Sequence, residues 1–86
     1  MTRYRIELRP AATRALRKLD PSIRPRVQGA IALLAEDPRP PASTQLRGRP
    51  GFRVRVGDNR IIYTIADDVL LVVVVTLGHR RDVYDR

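Results

Sequence analysis

The segment that decides the fold is FRVRVGDNRIIYTIADDVLLVVVVTL, residues 52–77. It contains three runs, FRVRV, RIIYTI and VLLVVVVTL, separated by the short polar turns GDN and ADD. A period of two residues is typical of strands, and short polar turns between such runs are typical of hairpins. The segment therefore predicts three consecutive antiparallel strands.

Side-chain alternation within the first hairpin decides which face of the sheet its arginines occupy. If the hairpin closes Val56 against Ile61, the apolar residues of both strands share one face: Phe52, Val54, Val56, Ile61, Tyr63 and Ile65. A register shifted by one residue would bury Arg60 in the core, which is costly without a partner. The sequence therefore favours an open face that carries Arg53, Arg55 and Arg60.

The N-terminal half predicts one further strand and two helices. YRIEL alternates as the later strands do and indicates a strand over about residues 3–8. Apolar residues recur at helical spacing in AATRALRKL, which follows Pro10, and again from Ile23 to Leu34. Ser22 is the expected N-cap of the second helix, and this places Pro25 in its first turn. The proline-rich segment 36–51 is expected to be an irregular connection.

These elements define an α+β fold. Two helices after the first strand would return the chain to the end that it left, so the next strand is expected to run antiparallel to the first. The sequence thus predicts the order β-α-α-β-β-β, with a helical hairpin on one face of a four-stranded antiparallel sheet. A chain of 86 residues supports one hydrophobic core, so residues 1–86 are expected to form a single domain.

The composition restricts the classes of function. Seventeen basic residues against nine acidic ones give a net charge of +8, which favours a polyanionic partner, either nucleic acid or an acidic protein. The absence of cysteine excludes disulfides and cysteine-ligated metals. The apolar run at 69–77 is too short to span a membrane, and the N-terminus lacks a signal-peptide pattern. We expect a cytoplasmic protein.

The segment LGHRRDVYDR, residues 77–86, holds further chemically useful side chains. His79 has the pKa range of a proton carrier near neutral pH, and Tyr84 offers a phenol. Each has a simpler interpretation, His79 as a loop residue and Tyr84 as a packed ring with an exposed hydroxyl. Outward arginines on a strand are likewise often only solvated. The pair Asp67 and Asp68 is expected to serve turn chemistry.

Residues 46–84 resemble the RelE/ParE superfamily of bacterial toxins. The shared pattern is L-x-G, an alternating basic strand, G-x-x-R followed by two aliphatic residues and tyrosine, and a terminal G-x-R-x-x-[IV]-Y. The resemblance is closest to the RelE branch. It implies the RelE-like fold and the toxin component of a type II toxin–antitoxin system.

In the RelE branch the toxin enters the ribosomal A site and cleaves mRNA there. The resemblance implies attack by a ribose 2′-hydroxyl on the adjacent phosphate, which gives a 2′,3′-cyclic phosphate and a free 5′-hydroxyl without a metal or other cofactor. The implied partners are the ribosome with its mRNA and an acidic RelB-like antitoxin. A toxin–antitoxin heterotetramer is one form expected of that complex, and no membrane is involved.

The resemblance also assigns catalytic roles to individual residues. Arg60 would hold the scissile phosphate, and Arg80 would stabilise charge or act near the leaving oxygen. Tyr84 would orient or activate the 2′-hydroxyl and stack on a nucleobase. A general base must be able to exist unprotonated in order to accept the 2′-hydroxyl proton, so Tyr84 or His79 is expected to act as the base.

The expected RNA-binding residues are all arginines: Arg47, Arg53, Arg55 and Arg81. Arg53 and Arg55 stand where the best-known members of the family have lysines. Arginine stays protonated in proteins, so these two are expected to bind RNA and not to act as bases.

Two other functions remain open. Members of the ParE branch share the fold but poison DNA gyrase by binding, and a toxin that has lost its activity would survive as a partner-binding module. Either toxin branch implies an antitoxin. Because the last strand is apolar on both sides, we expect the antitoxin or a second copy of the chain to cover part of the sheet face without helices.

Overall fold

The computed structural model describes residues 3–79, which form a five-stranded sheet with two helices. The elements are β1 (Arg5–Leu8), α1 (Pro10–Lys18), α2 (Arg24–Leu34), β2 (Ser43–Gln45), β3 (Phe52–Val56), β4 (Asn59–Ala66) and β5 (Leu71–His79). The strand order across the sheet is β1-β5-β4-β3-β2. The α+β class and the three antiparallel strands predicted from residues 52–77 are confirmed.

The β3–β4 hairpin has the predicted facing, although its pairing lies two residues from the predicted one. Val56 pairs with Asn59 and Val54 pairs with Ile61, so the loop consists of Gly57 and Asp58 alone. Gly57 has a φ of 61°, in the left-handed region that glycine adopts without strain. A shift of two residues leaves every side chain on its predicted face.

The predicted four-stranded antiparallel sheet is wrong in the placement of β1. This strand pairs in parallel with β5, with Ile6 opposite Val72. The reason is that α2 ends beside the start of β1, where the backbone amide of Tyr4 donates to the Ala35 carbonyl at 2.8 Å. The helices therefore return the chain to the end at which β1 begins, and β1, β3 and β5 run in the same direction.

A fifth strand, β2, lies within the segment expected to be irregular. It is polar, with the sequence STQ, and pairs antiparallel with β3 at the sheet edge. The chain then turns back, with the Leu46 amide donating to the Gly51 carbonyl at 2.9 Å. A Cβ on Gly51 would lie 3.0 Å from the Tyr63 carbonyl oxygen, so this turn needs glycine.

The main core fills the space between the sheet and the helices. Its buried residues come from both helices and from β3, β4 and β5: Ala12, Val27, Ile31, Leu34, Val54, Ile61, Tyr63, Val72, Val74 and Leu77. The apolar stripes predicted for the two helices supply the helical members. The Tyr63 hydroxyl donates to the Pro38 carbonyl at 2.8 Å, which satisfies its one buried polar atom. Neither of the helices in residues 3–79 has the length and apolar character of a membrane span.

A second, smaller cluster lies on the opposite sheet face. Leu46 folds over Ile62, and the two side chains are almost fully buried. This face carries no helix, as expected, and the turn at residues 46–51 covers part of it.

The connection between the helices is held by side chains that the sequence did not indicate. Ser22 is not the N-cap of α2: its hydroxyl donates to the Asp20 carboxylate at 2.8 Å, and Ile23 occupies the cap position without a side-chain hydrogen bond. Arg24 instead reaches back to α1. Its guanidinium donates to three backbone carbonyls at the end of that helix, those of Leu16, Arg17 and Leu19.

Candidate phosphate-binding site

The sheet face opposite the helices carries three arginines, and we call it the arginine face: Arg53, Arg55 and Arg60. Arg55 and Arg60 are directly paired across β3 and β4, which places their Cβ atoms about 5 Å apart. Arg55 is exposed, whereas Arg60 is half-buried with a fully buried Nε. On its other side Arg60 pairs with Gly78, which has no side chain. Arg60 is therefore partly enclosed by its surroundings, and the residue opposite it on β5 contributes only backbone.

Two directly opposed arginines destabilise a sheet by mutual repulsion. Neither can relieve the repulsion by losing a proton, because arginine remains charged in proteins. A guanidinium binds a phosphate through two parallel hydrogen bonds, so an anion between the two side chains would offset their repulsion. The pairing of Arg55 with Arg60 is thus typical of an anion site.

The surface between these arginines is shallow. The cleft formed by Arg55, Gly57, Asp58 and Arg60 has a volume of about 30 Å³, which is the space of one water molecule. A phosphate group would therefore rest on the arginine face rather than enter a cavity. Such a surface accepts a continuous polymer more readily than a small enclosed ligand.

The remaining strand arginine and the loop arginine lie farther along β3. Arg53 pairs with the buried Ile62 and with Thr44 of β2. Arg47 is exposed and follows Leu46 in the turn that precedes β3, whereas Arg55 lies near the other end of that strand. The structure therefore brings Arg53, Arg55 and Arg60 onto one face, whereas Arg47 lies in the turn before β3, at the other end of that strand from Arg55.

His79 lies on the other side of the sheet. Strand alternation places Leu77 in the core, Gly78 beside Arg60 and His79 on the helix side. His79 lines a cleft of about 550 Å³ between α1 and the ends of β4 and β5, which we call the helix-side cleft. The sheet separates this side chain from the arginine face, so the structure does not unite His79 with Arg60.

The remaining predicted residues, Arg80, Arg81 and Tyr84, lie outside the described residues. His79 is the last residue that the structure describes, and these three follow it in the chain.

Sequence reasoning missed the helix-side cleft altogether. Its floor is apolar and its rim is charged, and its lining includes Arg14, Lys18, Leu19, Ile23 and Asn59. Asn59 is the buried polar residue of the described chain, with 9% of its surface exposed. A signal was present in the sequence, because Asn59 stands two residues before Ile61 and so continues the core-facing side of β4.

A cluster at the far end of β4 from Arg60 was also missed. Asp67 accepts a hydrogen bond from the Tyr4 hydroxyl at 2.6 Å and forms an ion pair with Arg39 at 2.9 Å. The hydrogen bonds from Arg39 and Tyr4 hold the pKa of Asp67 at about 2. The Arg39 guanidinium also lies over the Phe52 ring, 5.4 Å from its centroid. Asp67 therefore joins the residue before β1, the segment after α2 and the β4–β5 turn.

The family model for the ParE toxin of the type II toxin–antitoxin system, parDE, matches residues 6–84. The chain belongs to the RelE/ParE superfamily of toxins. A RelE-like toxin protein of Escherichia coli is 30% identical over 88 residues, which cover 96% of this chain and 92% of the relative.

Solved structures agree with this membership. The RelBE2 toxin–antitoxin complex of Mycobacterium tuberculosis contains a chain that is 31% identical, with a TM-score of 0.78 over 91% of this toxin and 99% of that chain. The intact E. coli RelBE complex gives a TM-score of 0.78 at 25% identity, over 88% of this toxin and 95% of that chain. The chain is therefore a toxin of a type II toxin–antitoxin system of the RelBE kind.

Proposed function

We propose that this toxin is a metal-independent endoribonuclease that cleaves mRNA in the ribosomal A site and thereby inhibits translation. The observation that carries the proposal is the direct pairing of Arg55 with Arg60 on an open sheet face. Two fixed positive charges on a shallow surface suit the phosphate of an RNA backbone. The RelE-like relatives support this branch over others of the superfamily.

Arg60 has the central role in the proposed reaction. The 2′-hydroxyl oxygen attacks the adjacent phosphorus, the bond to the 5′-oxygen breaks, and negative charge builds up on the non-bridging oxygens. Arg60 stabilises that charge, and its half-buried position helps because little side-chain motion has to be frozen when RNA binds. Arg55 and Arg53 hold the flanking phosphates.

The proton transfers require groups other than the strand arginines, which cannot take up a proton. Tyr84 orients or activates the 2′-hydroxyl, and Arg80 stabilises the leaving 5′-oxygen. Arg81 and Arg47 add contacts to the RNA backbone. His79 is not assigned as the base, because it lines the helix-side cleft on the other face of the sheet.

The proposed partner in the resting cell is an acidic RelB-like antitoxin. The chain carries 17 basic and 9 acidic residues, so an acidic protein complements its surface. The similar M. tuberculosis and E. coli structures are toxin–antitoxin complexes, which supports this partner. A heterotetramer of two toxins and two antitoxins is the proposed assembly, in the cytoplasm where ribosomes are found.

A second candidate function is inhibition of DNA gyrase by binding. The observation that favours it is the matching family model, whose description names a ParE toxin. Such a function would not depend on Arg60 or Tyr84.

The first prediction separates these functions. Purified toxin is incubated with translating ribosomes and the mRNA ends are mapped, while gyrase supercoiling is assayed in parallel. We expect cuts at codon positions that fall about a hundredfold or more in Arg60→Ala, because a charge-stabilising group is lost, and that fall strongly in Tyr84→Phe.

Arg17→Ala is the matched control, since it removes one exposed positive charge from α1. It should cleave at nearly the wild-type rate. Inhibited supercoiling with intact mRNA would favour the ParE-like function instead, and inactivity in both assays would identify a partner-binding module.

A further inference from the structure

His79 and Asn59 form the last pair of the β4–β5 ladder. They lie directly opposite each other, and the next pair inward is Arg60 with Gly78. Asn59 and His79 both line the helix-side cleft, so both side chains belong to the helix side of the sheet. Asn59 and His79 are therefore the chain neighbours of Arg60 and Gly78, but their side chains lie on the sheet face opposite the arginine face.

Gly78 makes this end of β5 intrinsically weak. It has a φ of 149°, a region that other residues rarely adopt, and glycine in a strand loses more conformational entropy on ordering than any other residue. Gly78 leaves only backbone opposite Arg60 on β5. The same feature favours fraying of β5 close to the site, unless the next pair holds the strand in place.

The last pair, Asn59 and His79, is packed on the helix side of the sheet and can keep the end of β5 in place. Asn59 is buried and His79 is half-buried against the helix side. The charged groups that line the cleft with them are Arg14 and Lys18 of α1 and Asp20 just after it. The end of β5 is thus fixed from the helix side, away from any RNA on the arginine face.

We propose that Asn59 and His79 are positioning residues, which keep the end of β5 paired with β4 and so fix the strand end that lies beside Arg60. The expected effect of this pair on mRNA cleavage rests on the proposed function, whereas its effect on strand pairing does not. His79 takes no part in proton transfer. The pair compensates for Gly78, which weakens this end of β5.

Hydrogen exchange tests the pairing without any assay of activity. Exchange of the backbone amides in residues 59–61 and 77–79 is measured by NMR for wild type and His79→Ala. We expect exchange at this end of the ladder to accelerate about tenfold or more, with Tyr63 and Val72 unchanged. Lys18→Ala is the control, because it alters the same cleft without touching the ladder. Unchanged exchange in His79→Ala would overturn the proposal.

Kinetics separate positioning from base catalysis. His79→Ala should lower kcat for mRNA cleavage about tenfold with little change in KM. His79→Gln keeps a polar group of similar length but cannot titrate, so it should recover most of the loss and leave the pH–rate profile in its wild-type form. If His79→Gln is as inactive as His79→Ala, or loses a limb of the pH–rate profile, His79 is the base and the proposal is wrong.

The two measurements also distinguish this inference from the proposed function. If the wild-type toxin does not cleave mRNA, the proposed function fails, while the exchange result still decides whether the pair holds the end of β5.

Discussion

Arg55 is expected to lower the folding stability of the sheet while it contributes to the candidate phosphate-binding site. It lies directly opposite Arg60, and like charges in such a pair destabilise a sheet. We expect Arg55→Gln to raise the free energy of unfolding by about 0.2–1 kcal/mol at low salt, measured by urea denaturation, and to weaken cleavage of mRNA. Arg17→Gln removes the same charge from an exposed helix position, so it should change stability less. Equal effects of the two substitutions would contradict this account of the site.

Asp67 gives the fold a defined dependence on pH. Its pKa is about 2 in the folded chain, against an ordinary value of 3.8, because Arg39 and Tyr4 hydrogen-bond to the carboxylate. The stabilisation by Asp67 is therefore complete above about pH 4 and is lost as the pH falls towards 2. We expect Asp67→Asn to melt below wild type at pH 6, with the difference in Tm shrinking between pH 4 and pH 2.

Asp68→Asn is the matched control for this pH dependence, since it makes the same change in net charge within the same turn. A Tm difference for Asp67→Asn that is no larger than for Asp68→Asn, or that does not change with pH, would show that the cluster does not stabilise the fold.

At the scale of the elements, Arg24 of α2 is hydrogen-bonded to the end of α1 and so joins the two helices. It donates to the carbonyls of Leu16, Arg17 and Leu19, at the end of a helix, where carbonyls have few amide partners from a following turn. Arg24→Met keeps the aliphatic stem and removes these hydrogen bonds. We expect it to lower the free energy of unfolding by about 1–3 kcal/mol in urea denaturation.

Arg26→Met provides the comparison, because Arg26 is an exposed arginine of the same helix. It should change stability by less than about 0.5 kcal/mol. Arg24→Lys should give an intermediate value, since an ammonium group cannot reach all three carbonyls at once. Similar losses in Arg24→Met and Arg26→Met would contradict the capping role.

The elements also show what local patterns can and cannot predict. Alternation in residues 52–65 predicted the correct face for the apolar residues assigned to the core and for the three arginines. A two-residue shift in pairing leaves each side chain on the same face. β2 escaped prediction because it is a polar edge strand whose three residues carry no apolar alternation. The pairing of β1 with β5 depends on where α2 ends, and that is a tertiary contact without a local signal.

For the molecule as a whole, the sequence predicts those parts of the candidate site that depend only on side-chain alternation along a strand. The arginine face follows from the alternation of β3 and β4, so Arg53, Arg55 and Arg60 were placed together correctly. His79 was expected beside them because the terminal segment leaves the neighbouring strand, but alternation along β5 turns its side chain to the helix side. The helix-side cleft needs the packing of α1 against β5, which the sequence pattern does not encode.

The central claim is that the arginine face directs attack of an RNA 2′-hydroxyl on the next phosphate. It is tested most directly with a ribosome-bound mRNA that carries a single 2′-deoxynucleotide on the 5′ side of the mapped cut. We predict that cleavage at that bond stops, that neighbouring codons are still cut, and that the all-ribose product ends in a 2′,3′-cyclic phosphate. Continued cleavage at the deoxy position, or a product without the cyclic phosphate, would contradict the mechanism.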